Sequence, residues 1–144
     1  MFAHIMIATD GSELAQRAVA QGLALAKALG AKATAVTVSE PMAAMWWGRR
    51  PLPSPSKSTI RPRADAARVL AGVSAQAARA GVACDTLHVS QRFPAEGMVK
   101  AAKAQGCSLI VMASHGRRGT SKLLLGSEAA RVLTLSEAPV LICR

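Results

Sequence analysis

The chain has 144 residues, the length of one domain with a real buried core. It is 51% hydrophobic but only 3% aromatic, so that core must be built from Ala, Val, Leu and Ile, small residues that let helices lie close on a parallel sheet. No apolar run has the length of a membrane-spanning helix, and a formal net charge of +10 attracts anions of any kind without choosing among nucleotide, nucleic acid, acidic protein and lipid headgroup.

Phe2 to Thr9 is short and mostly apolar; it reads as strand 1 and not as a signal peptide, and Asp10-Gly11-Ser12 breaks it. From there the apolar spacing becomes helical. Ala15, Ala18, Val19, Gly22, Leu23, Ala26 and Leu29 fall on one face, with Ser12 as N-cap and Gly30 as the C-terminal stop. Lys32 to Ser39 carries β-branched residues and predicts strand 2. Glu40 to Pro62 has no period. It holds Pro41, Pro51, Pro53 and Pro55, the adjacent Trp46 and Trp47, and Arg49, Arg50 and Arg61; such a stretch inside a compact domain is either functional or disordered. Charge is concentrated here. Arg49, Arg50, Lys57, Arg61, Arg63, Arg68 and Arg79 face Asp65 alone between Pro41 and Ala80, and a solvated face or a polyanion partner accounts for this equally well.

A second helix carries Leu70, Val73, Ala77 and Ala80 on one stripe and stops at Gly81. Val82 to Ser90 is the third strand. Pro94 opens a short third helix as its first residue, running to about Gln105 with Gly106 after it. Ser108 to Ala113 is apolar on both faces, as a central parallel strand should be. Ser127 caps a fourth helix ending near Ser136, and Pro139 to Cys143 is strand 5. Five strands separated by mostly helical crossovers predict an α/β fold, a doubly wound five-stranded parallel sheet with helices on both faces; if strand 1 is central, the order is 3-2-1-4-5. In such sheets ligands bind outside the carboxyl ends of the strands where the order reverses, here between strands 1 and 4. The loops at that point are Thr9 to Ser12 and Ser114 to Gly116. Neither a repeat nor a second domain is visible.

The stretch from Ala113 to Ser127 has the parts of an anion site. Gly116, Gly119 and Gly126 let the backbone turn sharply and approach a ligand, the helix from Ser127 offers its N-terminus, and Arg117, Arg118 and Lys122 supply positive charge. Ser121 and Ser127 add hydroxyl donors. The spacing is neither that of a P-loop nor that of a Rossmann G-x-G-x-x-G. It resembles the universal stress protein family, whose fourth strand is followed by G-x-x-G, nine residues and G-[ST]. Here Gly116 is followed by the nine residues Arg117 to Leu125 and then by Gly126-Ser127. IMIATDGS, PAEGMVKAA, LIVMASHG, LLLGSEAARVL and APVLIC resemble the family too, so the likeness covers the chain except for Met42 to Ile60.

The resemblance implies a cytosolic homodimer, in a family where some members bind ATP and others do not. In the ATP-binding branch it assigns Asp10, after Ala8 and Thr9, to the ribose, and Val38 to the adenine, flanked by Ala8 and Met112. Gly116, Arg117, Gly126, Ser127 and Glu128 then lie about the phosphates of ATP and its Mg2+. The family's first motif glycine falls on Ala113, which adds a methyl near where the resemblance puts ribose and phosphates. Taken alone, Asp10 in Asp-Gly-Ser reads as a turn residue; its place opposite the glycine loop is what suggests a ligand.

Other residues carry less. Ser114-His115 is poor triad geometry without an acid partner, and His4 and His88 show no metal spacing. Cys84, Cys107 and Cys143 are odd in number and far apart, and read as buried thiols. Trp46 and Trp47 beside Arg49 and Arg50 suit a lid, a dimer contact or base stacking. The leading reading is thus an ATP-binding stress-response regulator with at most slow hydrolysis. The alternatives are a non-nucleotide homodimeric module presenting Met42 to Arg63 to a protein partner and, less favoured, a nucleic-acid binder. Strand 5, Val140 to Cys143, is short, apolar and at a sheet edge, which pairing with a second copy would cover.

Overall fold

A computed structural model describes residues 1–41, 62–116 and 124–144 of the chain. The elements run β1 (His4–Ala8), α1 (Glu13–Leu29), β2 (Lys32–Ser39), α2 (Pro62–Ala80), β3 (Cys84–Ser90), α3 (Pro94–Ala104), β4 (Leu109–Ala113), α4 (Ser127–Leu135) and β5 (Val140–Cys143). All strand pairs are parallel, as the alternation of strands and helices predicts, and β1 is central in the order β3-β2-β1-β4-β5. Strand ends are trimmed relative to the sequence reading. Val82 is a case: its N–H is held by the Ala77 carbonyl at the end of α2, so the ladder begins only at Cys84.

Residues alternate between two cores across the sheet. Ile5, Ile7, Leu109, Val111 and Ala113 pack beneath α1 and α2 with Ala18, Val19, Leu23, Leu70, Val73 and Ala77. Met6, Ala8, Val36, Ile110 and Met112 pack beneath α3 and α4 with Ala95, Met98, Ala101, Ala129 and Val132. This is the period-2 consequence of strands buried on both faces. α1 sits so close to the sheet that a Cβ on Gly22 would lie 2.9 Å from the Ile7 side chain, which explains a glycine in mid-helix. Ser12 caps α1 through its hydroxyl, which accepts from the Ala15 N–H at 3.2 Å, and Gly30 ends it in the left-handed conformation. Leu29, expected on the buried face, is instead 49% exposed.

Candidate functional site

The register of β1 with β4, Ile7 opposite Val111, brings the turn after β1 alongside the start of the loop after β4. Thr9 continues the ladder, its N–H donating to the Val36 carbonyl at 2.9 Å, while its own carbonyl accepts the buried Thr37 hydroxyl at 2.7 Å. Gly11 then turns the chain with φ +79. Its N–H donates to the Thr9 hydroxyl, and the Ser12 N–H donates to Asp10 Oδ1 at 2.9 Å, so Asp10 does serve the turn. The other carboxylate oxygen points at the opposite loop: a Cβ on Gly116 would lie 2.7 Å from Asp10 Oδ2. Asp10 thus serves the turn and also lies opposite the glycine loop.

The loop after β4 is anchored at both ends. The Ser114 N–H donates to the Cys143 carbonyl, and the Ser114 carbonyl accepts the Gly126 N–H, each at 2.8 Å. A Cβ on Gly126 would lie 2.6 Å from that same Ser114 oxygen. Gly126 is thus required by close approach to backbone, whereas Gly116 faces only the tip of the Asp10 side chain, and neither has a positive φ. Ser127, expected as the cap of α4, is not: Gly126 occupies the cap position without a side-chain hydrogen bond, and Ser127 is the first helical residue. The Ala130 N–H closes the first turn onto the Gly126 carbonyl. The amides of residues 127–129 precede any acceptor within the helix, which makes this end of α4 suited to an anion.

Ala8 and Met112 are buried in the core on the α3/α4 face of the sheet, and Val38, half-buried, packs against that core. Ala113 departs from expectation. It belongs to the core on the opposite face, with Val111 and Cys143, so its methyl is directed away from the face that carries Ala8, Val38 and Met112. Glu128 has a structural partner: its Oε2 accepts the Ala95 N–H of α3 at 2.9 Å. Arg117, with Arg118, Gly119, Ser121 and Lys122, lies outside the described residues, as do Trp46 and Trp47.

Sequence reasoning missed the Ser114 carbonyl, since a backbone acceptor leaves no residue signature. It also missed the Ala95 amide, for which a signal existed: Phe93 precedes Pro94 as the cap of α3 and has no side-chain acceptor. His115 Nδ1 and the buried Ser114 hydroxyl are 3.1 Å apart, a local pair. Among the described residues no cluster of three His, Cys, Asp or Glu side chains could hold a metal ion. A cleft of about 290 Å³ on the α1/α2 face starts from the turn after β1, lined by Thr9 and Gly11 together with Gln16, Arg68 and Gln76. Burial raises the thiol pKa of Cys84, Cys107 and Cys143 above the usual value; Cys143 is buried, the other two half-buried.

The family model described as the universal stress protein family matches residues 1–144. The chain belongs to the universal stress protein family. Over 144 residues it is 33% identical to a universal stress protein of Thermus aquaticus, with both chains covered completely. Among solved structures, a universal stress protein family member from Burkholderia pseudomallei is 30% identical with a TM-score of 0.75, covering 98% of this chain and 95% of that one. A universal stress protein in complex with cAMP has the same fold at 24% identity, with a TM-score of 0.75 and coverage of 99% and 97%.

Proposed function

We propose that this universal stress protein is a cytoplasmic, ATP-binding stress-response regulator that hydrolyses ATP slowly at most. The observation that carries the reading is the meeting of Asp10 Oδ2 with Gly116 beside the Gly126–Ser127 start of α4, because it joins a hydroxyl acceptor to an anion-binding helix end. Asp10 accepts the ribose hydroxyls. Val38, Ala8 and Met112 give the adenine an apolar contact. Since the Gly126 N–H already serves Ser114, the phosphate donors are the Ser127 hydroxyl and the first amides of α4, with Arg117 adding charge. Mg2+, bound with the nucleotide, offsets phosphate charge. A universal stress protein of this fold holding cAMP supports adenine as the base.

The same proposal includes a homodimer. β5 forms one sheet edge, and Leu141 on it and Leu133 and Leu135 on α4 are 40–44% exposed, an apolar surface that a second copy would cover. Denaturing purified protein and analysing the supernatant for adenine nucleotide, followed by titration with Mg-ATP, tests the assignment. Protein free of nucleotide that gives no heat with ATP refutes it.

A further inference from the structure

The first turn of α4 is tied to α3 through the side chain of Glu128. α3 begins with Phe93 at its cap position and Pro94 as its first residue, and no side chain of its own segment caps it. Glu128 supplies that acceptor from the neighbouring helix, its Oε2 2.9 Å from the Ala95 nitrogen. A carboxylate there is also stabilised by the partial positive charge at the start of α3. One turn further along α4, Arg131 Nη2 reaches back to Glu96 Oε1 at 2.6 Å. That ion pair has side chains 57% and 35% exposed and contributes little, so the Glu128 bond is the principal polar tie.

The start of α4 is therefore held on two sides. The Gly126 N–H fixes it to the Ser114 carbonyl, and Glu128, two residues later, fixes it to α3. Between them stands Ser127. A carboxylate in the first turn of an anion-binding helix would oppose a bound phosphate by like-charge repulsion if it faced the ligand. Here it is bonded to a donor of α3 that compensates its charge.

We propose that Glu128 is a positioning residue for the nucleotide's phosphates: by bonding the Ala95 N–H it orients the first turn of α4 and keeps its own charge off the ligand. The role rests on the nucleotide reading above. It predicts a selective effect, because adenosine makes the ribose and base contacts without needing the start of α4.

The test compares Mg-ATP with adenosine by calorimetry on the wild type, Glu128→Ala and Glu128→Gln, together with amide hydrogen exchange at Ala95 and at Ala130, whose N–H closes the first turn of α4. Glu128→Ala should weaken ATP on the order of tenfold, the size of one charge-assisted hydrogen bond, while adenosine stays within about twofold. Glu128→Gln keeps a carbonyl acceptor and should recover most of the loss. Exchange at both amides should quicken in the alanine variant and return toward wild type in the glutamine variant. Equal weakening of ATP and adenosine, or unchanged exchange at Ala130, overturns the proposal while leaving the nucleotide assignment standing. A wild type that binds neither ligand refutes the nucleotide assignment, and the phosphate-positioning role with it.

Discussion

Replacing Ala113 by glycine separates what the motif says from what the structure says. By motif alone the change completes the family's glycine pattern and should improve nucleotide binding. In the structure Ala113 is 7% exposed and shares the α1/α2 core with Leu109 and Val111, while Met112 faces the other way. Its backbone has no positive φ, so glycine relieves no strain. The variant loses a buried methyl, about 0.8 kcal/mol, and gains unfolded-chain freedom worth about 0.5–1 kcal/mol. The expected destabilisation is about 1.5 kcal/mol, or roughly 3–6 °C in Tm for a chain of this size. Affinity for Mg-ATP should change by no more than about twofold, since the methyl lies on the far face. Thermal melting and calorimetric titration of both proteins check this. A tightening of tenfold or more, about 1.4 kcal/mol, with unchanged Tm would refute the assignment of Ala113 to the opposite face.

Gly126→Ala should do the reverse of a silent change: with a Cβ 2.6 Å from the Ser114 carbonyl, the loop closure must shift, at about 1–3 kcal/mol of stability and with ATP affinity reduced more than about tenfold. Unaltered melting and binding would show that α4 does not start against Ser114. The protein should lose stability in acid partly through His4, which is 5% exposed and bonded through Nε2 to the Thr34 hydroxyl at 2.7 Å. Burial, helped by nearby Lys32, holds its pKa below the ordinary 6.5, so the folded state favours the neutral ring. The unfolded chain then binds the extra proton first, and this contribution is intact above about pH 6.5 and declines as pH falls toward the folded pKa. Urea unfolding across pH should show that decline in wild type and a flatter profile in His4→Gln; identical profiles would exclude His4 as the cause. Leu141→Lys on the β5 edge should shift light scattering from dimer to monomer, and a wild type already monomeric contradicts the dimer.

The architecture was legible because its signals are local and repeated. Ser12 and Gly30 bracket α1 where the spacing puts them, and the doubly apolar run before Ser114 is the buried β4. Leu29 fits the same helical spacing yet lies outside, because a period defines a face and not how far the sheet extends beneath it. The orientation of Ala113 is also legible, since Met112 and its neighbour in one strand must face opposite sides, whereas a motif carries residue type without direction. Glu128 was hidden for a different reason. A first-turn carboxylate usually serves its own helix, and only the packing of α4 against α3 reveals that it caps another.

Calorimetric titration of nucleotide-free wild-type protein with Mg-ATP tests the central claim most directly. Saturable binding near one nucleotide per chain, with a Kd below about 1 mM, is the result expected if Asp10, Gly116 and the start of α4 form one site. No binding at millimolar ATP, from protein whose melting shows it folded, would contradict it.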